Sequence, residues 1–333
     1  MKKVKKQFSK KKVAPKPQKE TLDTQIEKKG TSRRLLYISN IVLSILIVLA
    51  LSSVVFLIIL IQFVSLKNVS GEKQDSINFS YFVNRPDQLS SSKALIVYDT
   101  SSHVAVLTKN ENLRFAPAST AKIMTAIIAM ESYRPDTVLT ADYATITREG
   151  SKMGLFLNEK MTVSDLVYGM LLPSGNDAAY LLASNYPGGM KAFVKRMNEK
   201  AKELDLLNTH FVDPSGYEDE NYSTAYDLAR LGAKLLDYPA LARVVSTKKI
   251  IIYNTDKTIP HQIQNLNELL EIPGVNGVKT GFTNEAEGVL VSSFAHMGKE
   301  YVMVVLRSKD RFQDTKELIN GIINDLKNEV VSL

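Results

Sequence analysis

Ser119 and Lys122 stand three residues apart in Ser119-Thr120-Ala121-Lys122, behind Pro117. They open a stretch in which Ile123, Met124, Ile127, Ile128 and Met130 give one buried helical face, with Pro117 suited to its first turn. A spacing of three puts the serine hydroxyl and the lysine amine on one side of a helix, where they can share a proton. Serine becomes a nucleophile when a neighbouring base takes that proton, and lysine serves only when neutral. Free lysine titrates near ~10.4, so lowering it by about 3 units costs about 4 kcal/mol, which burial and a second cation nearby supply. Taken alone, the same triplet also describes an N-capping serine with a solvated lysine one turn later.

Two further triplets follow. Ser174-Gly175-Asn176 comes after the apolar run Val167–Leu172 that Pro173 ends, and precedes a helical pattern from Asp177. Such a junction presents a hydroxyl and an amide together, or is an ordinary polar link between helices. Lys279-Thr280-Gly281 follows GVNGV, where glycines at 274, 277 and 281 let the backbone approach a ligand closely, or make a plain turn. In this order, S-x-x-K, S-x-N and K-T-G match the motif set of serine acyl-transferases that bind penicillin.

Composition narrows the chemistry independently. The chain of 333 residues holds no cysteine, which excludes thiol nucleophiles, disulfides, zinc-cysteine sites and iron-sulfur clusters. Its four histidines, His103, His210, His261 and His296, offer no pair at metal-ligand spacing and no motif of a Ser-His-Asp arrangement, so a lysine base is the natural option. No metal and no cofactor is expected.

Beyond the triplets, the chain resembles the D-alanyl-D-alanine carboxypeptidases, low-molecular-weight penicillin-binding serine peptidases with the β-lactamase/transpeptidase-like fold. FAPASTAKIMTA (115–126), MLLPSGNDAAYLLA (170–183), FVKRMNEKAKELDLLNTHFVDPSG (193–216), GVNGVKTGFTNEA (274–286) and RFQDTKELI (311–319) look like family blocks in family order, so the resemblance covers roughly residues 93 to 325. It implies that Ser119 attacks the carbonyl between two terminal D-alanines of a peptidoglycan stem peptide, with Lys122 as base and Ser174 as proton relay. Asn176 would hold the substrate amide, Lys279 would supply positive charge, and Thr280 would bind the terminal carboxylate beside Gly281. The amides of Ser119 and Phe282 would form the oxyanion hole. β-Lactams would be covalent inhibitors. The sequence departs from the family at Ser215, Tyr217 and Glu287, where relatives commonly carry His, Leu and Gly. Alternatives with the same motifs are a DD-endopeptidase or transpeptidase acting on cross-links, a β-lactamase, and a membrane-anchored β-lactam or muropeptide sensor.

The elements that must position these groups are partly legible. Ala94–Tyr98 and Val104–Leu107 read as a hairpin, and Val289–Phe294 and Tyr301–Arg307 as two later strands. Helical patterns fit Val163–Leu172, Asp177–Asn185, Gly189–Leu206, Thr224–Leu236 and Arg311 to Lys327. Strands at both ends with helices between predict an α+β domain of mixed helices around a mainly antiparallel sheet, built from the two ends of residues 93–333.

Ahead of it, residues 1–34 carry thirteen Lys/Arg against three acids, a balance of +10, which leaves −3 of the chain's net +7 for everything else. A basic tail on an acidic remainder is not the footprint of a nucleic-acid-binding face. Residues 35–66 contain no charge, and the 21 residues Ile41–Ile61 are almost wholly aliphatic, about 31 Å as a helix and enough to cross a bilayer. The sequence therefore predicts a basic cytoplasmic tail (1–34), one uncleaved transmembrane signal anchor (35–66) in the lipid bilayer, a polar linker (67–92) and an extracytoplasmic domain.

Overall fold

The computed structural model describes residues 44–57 and 90–331. Residues 44–57 are helical, and their apolar side chains, Leu46, Val48 and Phe56 among them, are more than half exposed. The tail, the remainder of the predicted span and most of the linker lie outside the described residues. Among the described residues, no helix is long and apolar enough to cross a membrane.

The domain is organised on a five-stranded sheet of strands β1 (Ala94–Asp99), β2 (Val104–Lys109), β7 (Val275–Thr283), β8 (Glu287–His296) and β9 (Lys299–Ser308), in the order β2-β1-β9-β8-β7 with every pair antiparallel. The two ends of the domain thus build one sheet, as its strand pattern predicts. Two two-stranded hairpins, β3 (Val138–Thr140) with β4 (Lys160–Thr162) and β5 (Lys249–Tyr253) with β6 (Pro260–Gln264), stand apart from it.

Both faces of the sheet are buried. Ala94, Ile96, Tyr98, Val291, Val302 and Val304 join one apolar cluster, while Leu95, Val97, Leu290, Met303 and Val305 join a second. This explains why the strands read as continuous apolar runs rather than alternating ones. The first cluster is shared with helices α1 (Lys122–Ser132), α3 (Val163–Leu171), α4 (Asn176–Ser184), α5 (Gly189–Glu203), α6 (Ala225–Leu236) and α7 (Pro239–Ser246), a one-turn helix α2 (Tyr143–Ile146) lying beside them in sequence. The second is covered by Leu318, Ile319 and Ile322 of the last helix, α8 (Arg311–Val331). Helix α6 lies close under the sheet because Gly232 has no Cβ; one there would stand 2.7 Å from Cγ1 of Val291. Helices α3 and α6 begin at threonine caps, Thr162 and Thr224, whose hydroxyls accept the amides of Asp165 and Asp227.

Three differences from the sequence reading bear on the site. Ser119 does not open an α-helix but lies in a 3-10 turn, Ala118–Ala121, and α1 starts at Lys122. Residues three apart eclipse one another in a 3-10 turn, which aligns Ser119 and Lys122 more closely than an α-turn does. The K-T-G triplet belongs to an edge strand, β7, its glycines having masked the β pattern. Finally, Ser91 is bonded into the fold: its amide and hydroxyl donate to the Asp314 carboxylate at 2.8 and 2.9 Å, so Ser90–Ser92 of the predicted linker belong to the domain.

Candidate active site

Three elements meet at Ser119: its own 3-10 turn, the junction between α3 and α4, and β7. The turn enters through Ala118, whose φ of 47° is a strained value for a residue with a side chain. Gly281 permits the strand to come against it, since a Cβ there would lie 3.1 Å from the Ser119 amide nitrogen. Gly216, at φ 76°, closes the other side; its Cβ would lie 1.9 Å from the Ala118 carbonyl oxygen. The nucleophile turn is therefore clamped between two glycines.

Lys122 is fully buried and donates three hydrogen bonds, to Ser119 Oγ at 2.8 Å, to Asn176 Oδ1 at 2.7 Å and to the Ser215 carbonyl at 2.9 Å. Burial lowers its pKa to about 7, against the opposing pull of the Asp213 and Asp177 carboxylates. A neutral amine at the serine hydroxyl is thus accessible near neutral pH, the condition general-base activation requires.

Asn176 opens α4 and ties two motifs together. Its Oδ1 faces Lys122, and its Nδ2 donates to the Glu149 carbonyl at 2.6 Å. Gly175 caps the helix where no Cβ fits, with the Gly169 carbonyl oxygen 2.6 Å from the position it would take. Ser174 adopts a left-handed backbone, φ 66°, and its buried hydroxyl has no hydrogen-bond partner among the described residues. The Ser174 hydroxyl is thus buried at the site with its hydrogen-bonding capacity unused by the described residues.

Lys279 is buried and donates to the Thr280 carbonyl at 2.8 Å. Its pKa lies well below the lysine range through burial first, then the neighbouring Lys122 and Arg311. Two buried amines side by side oppose one another's protonation, and the Arg311 guanidinium adds a further positive charge beside them. Arg311 is half-buried and its Nε has no partner among the described residues. The sequence reading names it only inside a family block; an arginine at the start of a helix carries no local signal.

Asp177 and Asp213 are further supports that spacing does not reveal. The Asp177 carboxylate accepts the amides of Met153, Gly154 and Leu155 at 2.9, 2.9 and 3.1 Å, fixing the loop that lies against Asn176. The Asp213 carboxylate accepts from the amide and hydroxyl of Ser215, the amides of Gly216 and Glu218, and the Asn221 side chain. Burial pushes its pKa up, but these bonds outweigh it and hold the carboxyl below the usual range. Thr280 is buried behind the strand edge and Phe282 is exposed at the rim. The site thus gathers Ser119, Lys122, Ser174, Asn176, Lys279, Thr280 and Gly281.

The departures at 215, 217 and 287 are accommodated. Ser215 and Tyr217 are bonded to Asp213 and Glu149, and Glu287 takes the φ of 51° that a glycine would suit while its carboxylate accepts Arg307 Nε at 3.0 Å. A cavity of about 700 Å³ lined by Tyr98, His103, Tyr226 and Arg230 contains none of the site groups. Among the described residues, no cluster of three or more His, Asp or Glu side chains could hold a metal.

A serine hydrogen-bonded to a buried lysine beside an edge strand is the arrangement that general-base activation of a serine requires. The profile of the D-alanyl-D-alanine carboxypeptidase family, peptidase S11, matches residues 81–310, and the chain belongs to that family. It is 38% identical over 209 residues to the D-alanyl-D-alanine carboxypeptidase DacF of Bacillus subtilis, covering 60% of this chain and 53% of the relative. To a D-alanyl-D-alanine endopeptidase of Escherichia coli it is 33% identical over 223 residues, 66% of this chain and 72% of the relative. The crystal structure of the Streptomyces K15 DD-transpeptidase superposes with a TM-score of 0.67 at 31% identity, covering 70% of this chain and 97% of that one. The chain thus spans about half the length of the Bacillus relative.

Proposed function

We propose that this chain is a membrane-anchored D-alanyl-D-alanine carboxypeptidase that removes the terminal D-alanine from peptidoglycan stem peptides. The observation that carries the reading is the Lys122 amine, buried, drawn down to about 7 and 2.8 Å from Ser119 Oγ. Neutral Lys122 takes the Ser119 proton as Oγ bonds to the carbonyl carbon of the penultimate D-alanine. The amides of Ser119 and Phe282 receive the oxyanion, a contact worth about 100- to 1,000-fold in rate per donor. Ser174 passes a proton to the departing amine, the C–N bond breaks and D-alanine leaves. Water then attacks the acyl-enzyme ester, returning the hydroxyl to Ser119 and freeing the shortened peptide.

Thr280 and the guanidinium of Arg311 receive the terminal carboxylate. An incoming carboxylate also supplies the counter-charge that restores the Lys279 ammonium. β-Lactams acylate the same serine. The bilayer anchor and extracytoplasmic placement rest on the charge step at residues 1–34, the uncharged run 35–66, and the helical, apolar residues 44–57 within it.

The test is D-alanine release from a diacyl-lysyl-D-alanyl-D-alanine peptide beside Ser119→Ala. Serine-dependent release is expected. Penicillin labelling without release would move the reading to cross-link chemistry or sensing.

A further inference from the structure

A cleft of about 410 Å³ has Asn176 in its wall, with Thr147, Arg148, Glu149, Tyr180, Tyr217 and Glu218, and does not include Lys279. Its walls come from α4, through Asn176 and Tyr180, and from two loops, 147–155 and 213–221, joined by the Tyr217 hydroxyl, which donates to Glu149 Oε2 at 3.0 Å. Gly150 lies between Tyr217 and Asn176: a Cβ there would stand 2.6 Å from Asn176 Nδ2 and 3.4 Å from the Tyr217 ring. The cleft is therefore built onto the residue that holds the substrate amide in the function proposed above, on which this inference rests.

Under that reading the peptide's direction is fixed. Its terminal carboxylate is at Thr280 and Arg311, the scissile carbonyl at Ser119 and the acyl-side amide at Asn176. The residue preceding the two D-alanines then enters the cleft.

The charges there are of both signs; Arg148 also acts at longer range on the Asp142 carboxylate, whose pKa, lowered first by hydrogen bonding to Thr145, it helps to lower. Arg148 stacks its guanidinium over the Tyr180 ring, 3.9 Å from the centroid, which orients it without neutralising it. Glu149 receives one hydrogen bond from Tyr217 and keeps acceptor capacity, since a carboxylate offers about four lone-pair sites. Among the described residues, neither these two nor Glu218 takes part in any ion pair. A plain amine would satisfy Glu149 and leave Arg148 unmatched; an amino-carboxylate satisfies both.

We propose that this cleft is a specificity subsite for a stem-peptide side chain ending in an amino-carboxylate, with Arg148 receiving its carboxylate and Glu149, steered by Tyr217, its ammonium. A 2,6-diaminopimelyl side chain has this chemistry and a lysyl side chain has only the amine.

The experiment measures kcat/KM for D-alanine release by the full-length protein from two tripeptides, diaminopimelyl-D-alanyl-D-alanine and lysyl-D-alanyl-D-alanine, each acylated at the same α-amine. The wild type should prefer the first by about ten-fold or more, the size of one charge-assisted hydrogen bond. Arg148→Gln should bring the ratio to within about two-fold of unity, and Glu149→Gln should lower release from both. Equal rates on the two peptides in the wild type overturn the subsite and leave the carboxypeptidase reading standing, as does a preference that survives Arg148→Gln. Release from neither peptide removes the carboxypeptidase reading and the subsite with it.

Discussion

Asp213 and Ser215 form a closed unit: one carboxylate oxygen of Asp213 accepts both the amide and the hydroxyl of Ser215, while the carbonyl of Ser215 accepts from Lys122. Lys122, the base in the proposed reaction, is thus held by a residue with no reactive part in it. In Asp213→Asn the amide group would turn an N–H towards some of the five donors now satisfied. A loss of about 3 kcal/mol in denaturant unfolding at pH 7 is expected. The sign with pH follows from the depressed Asp213 pKa: its contribution is present above the unfolded value near ~3.9 and is lost as pH falls below it, so the two proteins should converge in acid.

Penicillin acylation should rise with pH through about 7, as Lys122 changes from ammonium to free base. Because the Asp213 charge raises the Lys122 pKa, the midpoint of this rise in Asp213→Asn should move to lower pH even as the maximal rate falls. Stopped-flow labelling at several pH values reads both. A midpoint that moves upward would remove Lys122 as the titrating group. Folding stability carries the same signature, since the unfolded lysine holds its proton up to about 10.4 and stability should therefore climb between about pH 7 and 10 through this group.

Gly216→Ala tests the clamp on the nucleophile turn. Its Cβ would be placed 1.9 Å from the Ala118 carbonyl oxygen, an overlap that backbone must move to relieve. Several kcal/mol of destabilisation are expected, together with a loss of about 100-fold or more in penicillin labelling of the folded fraction. Labelling at the wild-type rate would show that the turn tolerates displacement.

Arg311→Gln should weaken catalysis selectively for substrates with a free terminal carboxylate. Removing a charge-assisted bond of about 1.5–3 kcal/mol corresponds to roughly 10- to 150-fold in kcat/KM. The control is a peptide ending in an amide, on which wild type and variant should differ little. An equal loss on both substrates would make Arg311 a packing residue.

The three motifs were legible because each is a contiguous set of reactive residue types; Pro117 and Pro173 mark the first two as junctions between elements, whereas the third lies within β7. Helix positions were recovered to within a few residues because α3, α5 and α6 show a helical period of apolar residues, while α4, buried all round, is bounded by the Pro173-Ser174-Gly175 junction. Strand β7 was not, since Gly277 and Gly281 interrupt an apolar run that only its pairing with β8 turns into a strand. The Asp177 carboxylate reaches back 22 residues to the Leu155 amide and Glu149 meets the Tyr217 hydroxyl 68 residues on, whereas Asp213 gathers its donors within eight residues, from Ser215 to Asn221. Nothing in local spacing announces a carboxylate whose partners are backbone amides brought up by another loop.

The pairing of β1 with β9, more than 200 residues later, sets the order of events in synthesis. The first strand to leave the ribosome lies mid-sheet and cannot find its central neighbour until nearly the whole domain has been made. The helices that follow Ser119 therefore lack the sheet against which their apolar face packs until β8 and β9 are made. The sheet cannot close until the last strands are made, so a break near the end of the domain would deprive Ser119, near its beginning, of the layer it packs on.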